Sequence, residues 1–169
     1  RRGIDYTIYD ILTVRDILTD ILNVFGRDNE YVISGPVWEY FLANKNMKFK
    51  KLPNSKFNRS LLVREPIVND AVDGLLRELV IDRANGFIGK TVIHPTHIKY
   101  VNAMQAVTLE EYNDAMQILN TADGVVKSAN SNKMNEIKPH RSWAEKVCMR
   151  ALVYGVIENE ASYFELFSD

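Results

Sequence analysis

The chain has three histidines, and two of them, His94 and His97, flank Pro95-Thr96. Imidazoles this close invite metal ligation. Zinc needs at least about three protein ligands, and no cysteine, histidine or carboxylate stands at a supporting spacing. A histidine that closes a strand more often bonds backbone and shapes a pocket, and His94 is read that way. Lys90 opens the run Lys90-Thr91-Val92-Ile93. It suits a carboxylate or phosphate in a site, or a structural ion pair at the N-terminal end of a strand, and spacing leaves both open. Glu136 and His140 lie within Lys133–His140. Spacing alone reads this as a polar surface segment before a helix begun by Pro139. No Ser-His-Asp signature, phosphate-binding glycine loop or Cys-x-x-Cys pair is present, so triad and nucleotide chemistries find no support.

A helix–strand alternation must position these residues. Residues 1–12 read as a loop. Thr13 with Asp16 resembles a capping box, and Ile17, Leu18, Ile21, Leu22 and Phe25 then share a helical face that Gly26 is placed to stop. Tyr31–Ser34, closed by Gly35-Pro36, reads as a buried strand. Val37–Leu42 suits a helical turn. Pro66 fits the first turn of a helix whose stripe is Val68, Ala71, Val72, Leu75, Leu76, Leu79 and Val80, ended by Asn85-Gly86. Lys90–His94 is a second strand, closed by Pro95, and Thr96 can cap the next helix. Thr108-Leu109-Glu110-Glu111 is a full capping box. Residues 128–139 are polar and irregular, and a last helix covers about 140–159.

This alternation predicts an α/β protein with a parallel sheet. Ligands in such folds meet the C-terminal ends of strands. That rule selects Ser34, Gly35 and Pro36, with Trp38 and Glu39 just beyond, and His94 and Pro95. A helix starting at Thr96 would add free N–H groups at the same place.

Between these elements, residues 43–60 hold Lys45, Lys48, Lys50, Lys51, Lys56 and Arg59 with no acid, and also Phe49 and Phe57. The favoured reading is a solvated surface loop. The alternative is a basic flap on the phosphates of a ligand or of RNA.

The 169 residues suffice for a domain with a real core. A net charge of -1 gives no overall pull toward nucleic acid or membrane. The single cysteine, Cys148, sits in a helical pattern with Trp143, Val147, Ala151 and Tyr154, as a buried free thiol does. No disulfide can form within the chain, which fits a reducing, cytoplasmic setting. No apolar run approaches the roughly 18 residues of a membrane span.

The order Gly86-Phe87-Ile88-Gly89-Lys90-Thr91-Val92-Ile93-His94-Pro95, followed by Ile98 and Val101-Asn102, resembles the last β/α unit of the HpcH/HpaI aldolase and citrate lyase β-subunit family. Thr108, Glu110, Glu111 and Ala115 look like the family's next helix. Lys133-Met134, Lys138-Pro139-His140 and Trp143-Ala144 resemble its closing signature. Ser34–Phe41 and the long basic insertion look like a divergent branch of TIM-barrel carbon–carbon bond lyases.

The resemblance implies an α/β fold: the C-terminal part of a (β/α)8 TIM barrel plus an α-helical C-terminal extension. Residues 1–105 would supply the β/α units and 106–169 the extension. It implies a Mg²⁺-dependent lyase or aldolase acting on an acyl thioester, such as a CoA ester, or on an oxo-acid. The Mg²⁺ ligands are expected outside this chain, which would then be inactive alone. A homo-oligomer or a complementing N-terminal half is expected, with a small-molecule substrate and neither a membrane nor nucleic acid as partner. Ser34, Gly35, Pro36, His94 and Pro95 would wall the substrate pocket. Glu136 would take the place of a family acid that reaches a neighbouring subunit's site. The competing reading is a non-catalytic barrel relative that binds a ligand or RNA through 43–60.

Overall fold

The computed structural model describes residues 3–27, 30–42 and 57–168. The basic run therefore lies outside the described residues from 43 to 56. Its last residues open a short helix, α2, Phe57–Leu62, in which Phe57 and Leu61 are buried.

The strongest apolar stripe folds as α3, Asp70–Ala84. It begins after Pro66 rather than at it. The Asn69 side chain accepts the Val72 N–H at 3.0 Å, and the Asp73 carboxylate accepts those of Ile67 and Val68 at 2.8 and 2.9 Å. These bonds hold 67–69 out of the helix and fix its start. The helix α1, Leu12–Phe25, is capped at Gly26 as its sequence suggests. Thr13 and Asp16 lie inside α1 and do not cap it; the capping box in this region, Thr7 with Asp10, opens the 3₁₀ turn Ile8–Asp10 that precedes the helix. The Asp10 carboxylate accepts the Thr7 N–H and O–H at 2.7 and 2.9 Å and folds 7–10 into a tight turn.

The two expected strands shorten to one parallel contact. Gly35 pairs with Lys90. Ile88 N–H donates to Ile33 O, Gly35 N–H to Gly89 O and Thr91 N–H to Gly35 O. The pairing does not extend beyond this bridge, and no regular strand forms over 31–34 or 90–94. Residues 37–42 form no helical turn. Trp38 pins them instead: its Nε1 donates to Ala71 O at 2.8 Å, and the ring lies 1% exposed against α3.

After a 3₁₀ turn at Pro95–His97 come α4, Ile98–Ala103, the short strand β1, Val107–Thr108, and α5, Leu109–Asn120. The Thr108–Glu111 capping box opens α5 as the sequence predicts. The irregular stretch contains a hairpin of β2, Val125–Lys127, and β3, Met134–Glu136, before α6, Ile137–Tyr154. The strand β4, Val156–Ile157, pairs in parallel with β1, and α7, Tyr163–Ser168, follows.

Two apolar clusters result. One joins Trp38, Phe57, Leu61, Leu75, Leu76 and Tyr100 with Tyr163 and Phe167 of α7. The other joins Val107, Ala115 and Ile118 with Ile137, Ala144 and Val147 where α5 packs on α6. The architecture is a helix-rich α/β arrangement, with no closed barrel among the described residues.

The Trp38 seat depends on Gly74. A Cβ there would lie 2.2 Å from the indole Cζ2. Gly74→Ala should gain about 1 kcal/mol of helix propensity but lose more to overpacking, for a net loss of roughly 1–2 kcal/mol. Urea denaturation checks the sign. Adding Trp38→Phe, which trims the ring, should make the combined loss smaller than the sum of the two single losses.

Candidate functional site

The Gly35–Lys90 pairing organises its surroundings through the side chain of Lys90. The ammonium turns toward α3 and is 1% exposed, 2.9 Å from Glu78 Oε2 and 2.8 Å from Asp82 Oδ2. The other oxygens of both acids are also engaged. Glu78 Oε1 accepts the Ile8 N–H at 2.6 Å, and Asp82 Oδ1 accepts the Tyr9 hydroxyl. A buried ion pair repays its desolvation only when the remaining lone pairs are satisfied, and here each carboxylate oxygen has a donor. Burial, and then the negative charge of Asp82, push the Tyr9 phenol far above its ordinary range, so it holds its proton. Of the two readings left open for Lys90, the geometry is that of a structural ion pair. Spacing supplied a clue to it: Glu78 and Asp82 lie one turn apart, on the same face as Leu75 and Leu79.

Gly35 sits in the same place. A Cβ on it would meet Asp82 Oδ2 at 2.6 Å, so glycine is what lets the segment lie against α3. Strand alternation turns Ser34 and Thr91 to the opposite face, and both are exposed. Pro36 is half-buried and Pro95 exposed.

Beyond the pairing, in the C-terminal direction, the two segments stay together. The His94 ring stacks on Phe41, with centroids 4.1 Å apart and planes 14° apart. Its Nδ1 accepts the Thr96 N–H at 3.3 Å and lies 2.9 Å from Thr96 Oγ1. His94, not Thr96, therefore caps the 3₁₀ turn. His97 is buried and its Nε2 donates to Tyr40 O at 2.9 Å. Burial holds His97 below the usual histidine range, against the pull of the Tyr40 carbonyl, and the nearby His94 and Lys90 add to the lowering. One nitrogen of each ring is thus committed to a local bond. Among the described residues no group of three His, Cys, Asp or Glu side chains could hold a metal ion.

The structure sets Ser34, Gly35 and Pro36 beside Lys90 and Thr91, and His94 and Pro95 further along, beside Tyr40 and Phe41, on the edge formed where 33–41 and 88–97 run side by side. Glu136 is placed elsewhere. It ends β3 in register with Val125, is exposed, and caps α6 without a side-chain hydrogen bond. The hairpin that carries it is tied to α5 by Lys133, 2.6 Å from Glu110 and 3.1 Å from Asp114, and by Ser128 Oγ, which donates to Asp114 Oδ1 at 2.5 Å.

The family model for C–C bond lyases of the TIM-barrel fold matches residues 1–156, and the chain belongs to that family. No curated protein and no solved structure matches it. No helix among the described residues is long and apolar enough to cross a membrane.

Two measurements check the buried network. Lys90→Met leaves two buried carboxylates facing each other without their cation, and should cost about 3–5 kcal/mol in urea denaturation at neutral pH. The raised phenol of Tyr9 makes the second prediction. A group held above its unfolded value contributes stability that is complete below that value, about 10 for tyrosine, and is lost as pH rises beyond it. The urea midpoint should therefore fall above pH about 10, and less steeply in Tyr9→Phe than in the parent.

Proposed function

We propose that the chain contributes the closing β/α units of a lyase that breaks a carbon–carbon bond next to a carbonyl, in the manner of citrate lyase β-subunits. The family match over residues 1–156 carries the reading. The paired segments 33–35 and 88–91 support it, because their C-terminal ends meet on one edge. In this reaction a β-hydroxyl gives up its proton and becomes a carbonyl. The bond between the α- and β-carbons breaks, its electron pair forms an enolate on the thioester or oxo-acid half, and the enolate carbon is then protonated.

In this proposal Ser34, the Gly35 backbone, Pro36, His94 and Pro95 wall the substrate. The Thr96 N–H and hydroxyl orient the His94 imidazole through Nδ1. Glu136, on a separate element, serves a neighbouring copy's site as an acid–base group. A divalent cation, Mg²⁺ by family resemblance, would stabilise enolate charge from ligands other than the residues described here.

The test uses the native polypeptide that carries this chain. β-Hydroxyacyl-CoA esters and 4-hydroxy-2-oxo-acids are supplied with Mg²⁺ or with EDTA, and products are read by mass spectrometry. Cleavage that EDTA abolishes is expected, with kcat/KM lowered about tenfold or more in His94→Ala. Failure to cleave any member of either class in the presence of Mg²⁺ would overturn the proposal.

A further inference from the structure

At the N-terminal end of the paired segments, away from the edge just described, a cavity of about 450 Å³ opens between α2, α3, residues 86–88, α5 and α6. Its size falls within the range of small-molecule sites. Its charge is one-sided: Arg83, Lys146 and Arg150 line it against a single carboxylate, Glu111. Glu111 Oε2 accepts the Thr108 N–H and O–H in the α5 capping box, each at 3.2 Å, and its charge also favours the cationic forms of Arg83 and Arg150.

Arg150 carries the argument. It is only 9% exposed, yet among the described residues its guanidinium has one acceptor, Gln105 O, 3.2 Å from Nε. Its Nη2 is buried with no partner. A buried donor of a charged group left without an acceptor is costly. Arg83 is nearby and also cationic, with Nη1 on Tyr163 Oη at 2.9 Å. Burial, and after it the positive charge of Arg83, depress Arg150 from its ordinary range, against the opposing pull of Glu111. The rest of the lining is of a different kind. Trp143 and Phe87 offer ring surface, and Val147 and Val80 offer aliphatic surface.

We propose that this cavity binds a small organic anion, a phosphate or carboxylate head on an apolar body. Arg150, Arg83 and Lys146 take the head, and Trp143 and Phe87 the body. Planar guanidinium groups suit both kinds of head. The site lies at the opposite end of the pairing from the proposed catalytic edge, so a ligand there acts as an effector and not as the lyase substrate. The proposal does not depend on the reaction assigned above.

The indole signal tests it directly. The chain has two tryptophans, and only Trp143 is accessible, since Trp38 is sealed. Protein is titrated with phenyl phosphate, with benzoate and with benzyl alcohol while Trp143 fluorescence is followed. A saturable change is expected with at least one anion. Response to both means that any oxyanion head suffices, and response to phenyl phosphate alone means a phosphate head. Benzyl alcohol should bind at least about tenfold more weakly. Arg150→Gln should lower affinity about tenfold or more, the size of one charge-assisted bond. Lys146→Gln, at the half-buried rim, should lower it about threefold and make binding less salt-dependent. Should Arg150→Gln not fold, as judged by circular dichroism, Lys146→Gln decides. No saturable response to either anion, equal affinity for benzyl alcohol, or parent-like binding in the folded variants would overturn the proposal.

Discussion

The contact of Lys90 with Glu78 and Asp82 is the constraint on which the arrangement rests. It joins three parts of the chain: the tight turn at 7–10, the helix α3 and the paired segments at 35 and 90. Its energetics are those of a buried charge cluster, in which desolvation is large and the return depends on every donor and acceptor being matched. The Ile8 N–H and the Tyr9 hydroxyl complete that matching. A cluster with two carboxylates and one cation would otherwise be self-repelling. The absence of a Cβ at Gly35 belongs to the same solution, because a methyl there would occupy the space of the Asp82 carboxylate.

Beyond Lys90, which is held toward α3, the paired segments carry the two histidines. His94 and His97 are close in sequence yet do different things in space. One is stacked, half-buried and bonded within its own turn, whereas the other is buried and spent on a distant carbonyl. Each ring therefore has one nitrogen already bonded within the fold, His94 in its own turn and His97 across to Tyr40.

Much of this was readable from the residues. The α1 face, the α3 stripe, the Thr108–Glu111 box and the long last helix follow from period and capping chemistry, which are local. The strands were harder. An apolar run such as Tyr31–Ser34 reads as a strand from its residues alone, but its ladder depends on a partner that stays in register, and here the pairing with 88–91 is limited to one bridge at Gly35 and Lys90. The Thr7–Asp10 turn was missed because a short capping pair inside an apparent loop looks like loop composition. His94 displaced Thr96 as cap because an imidazole nitrogen can accept an N–H as a hydroxyl does. The rule about strand C-termini selected Ser34–Pro36 and His94–Pro95, which the structure places at successive points along the two paired segments. The partners of Lys90 were only half legible: acids at 78 and 82 fall on the apolar face of a helix, which marks them as buried but does not name their cation. The cationic cavity was not legible at all, since Arg83, Lys146 and Arg150 come from helices distant in sequence.

Helix α7 has a consequence for how the molecule comes into being. Tyr163 and Phe167 are completely buried in the same cluster as Trp38 and Phe57. A chain made from its N-terminus therefore cannot seal this cluster until Phe167 has left the ribosome, long after Trp38 has emerged. Over that interval the aromatic side chains of the earlier residues face water or a chaperone. Closure then depends on a contact of high sequence separation, which folds slowly. The second cluster, built within 107–147, carries no such delay and can mature first.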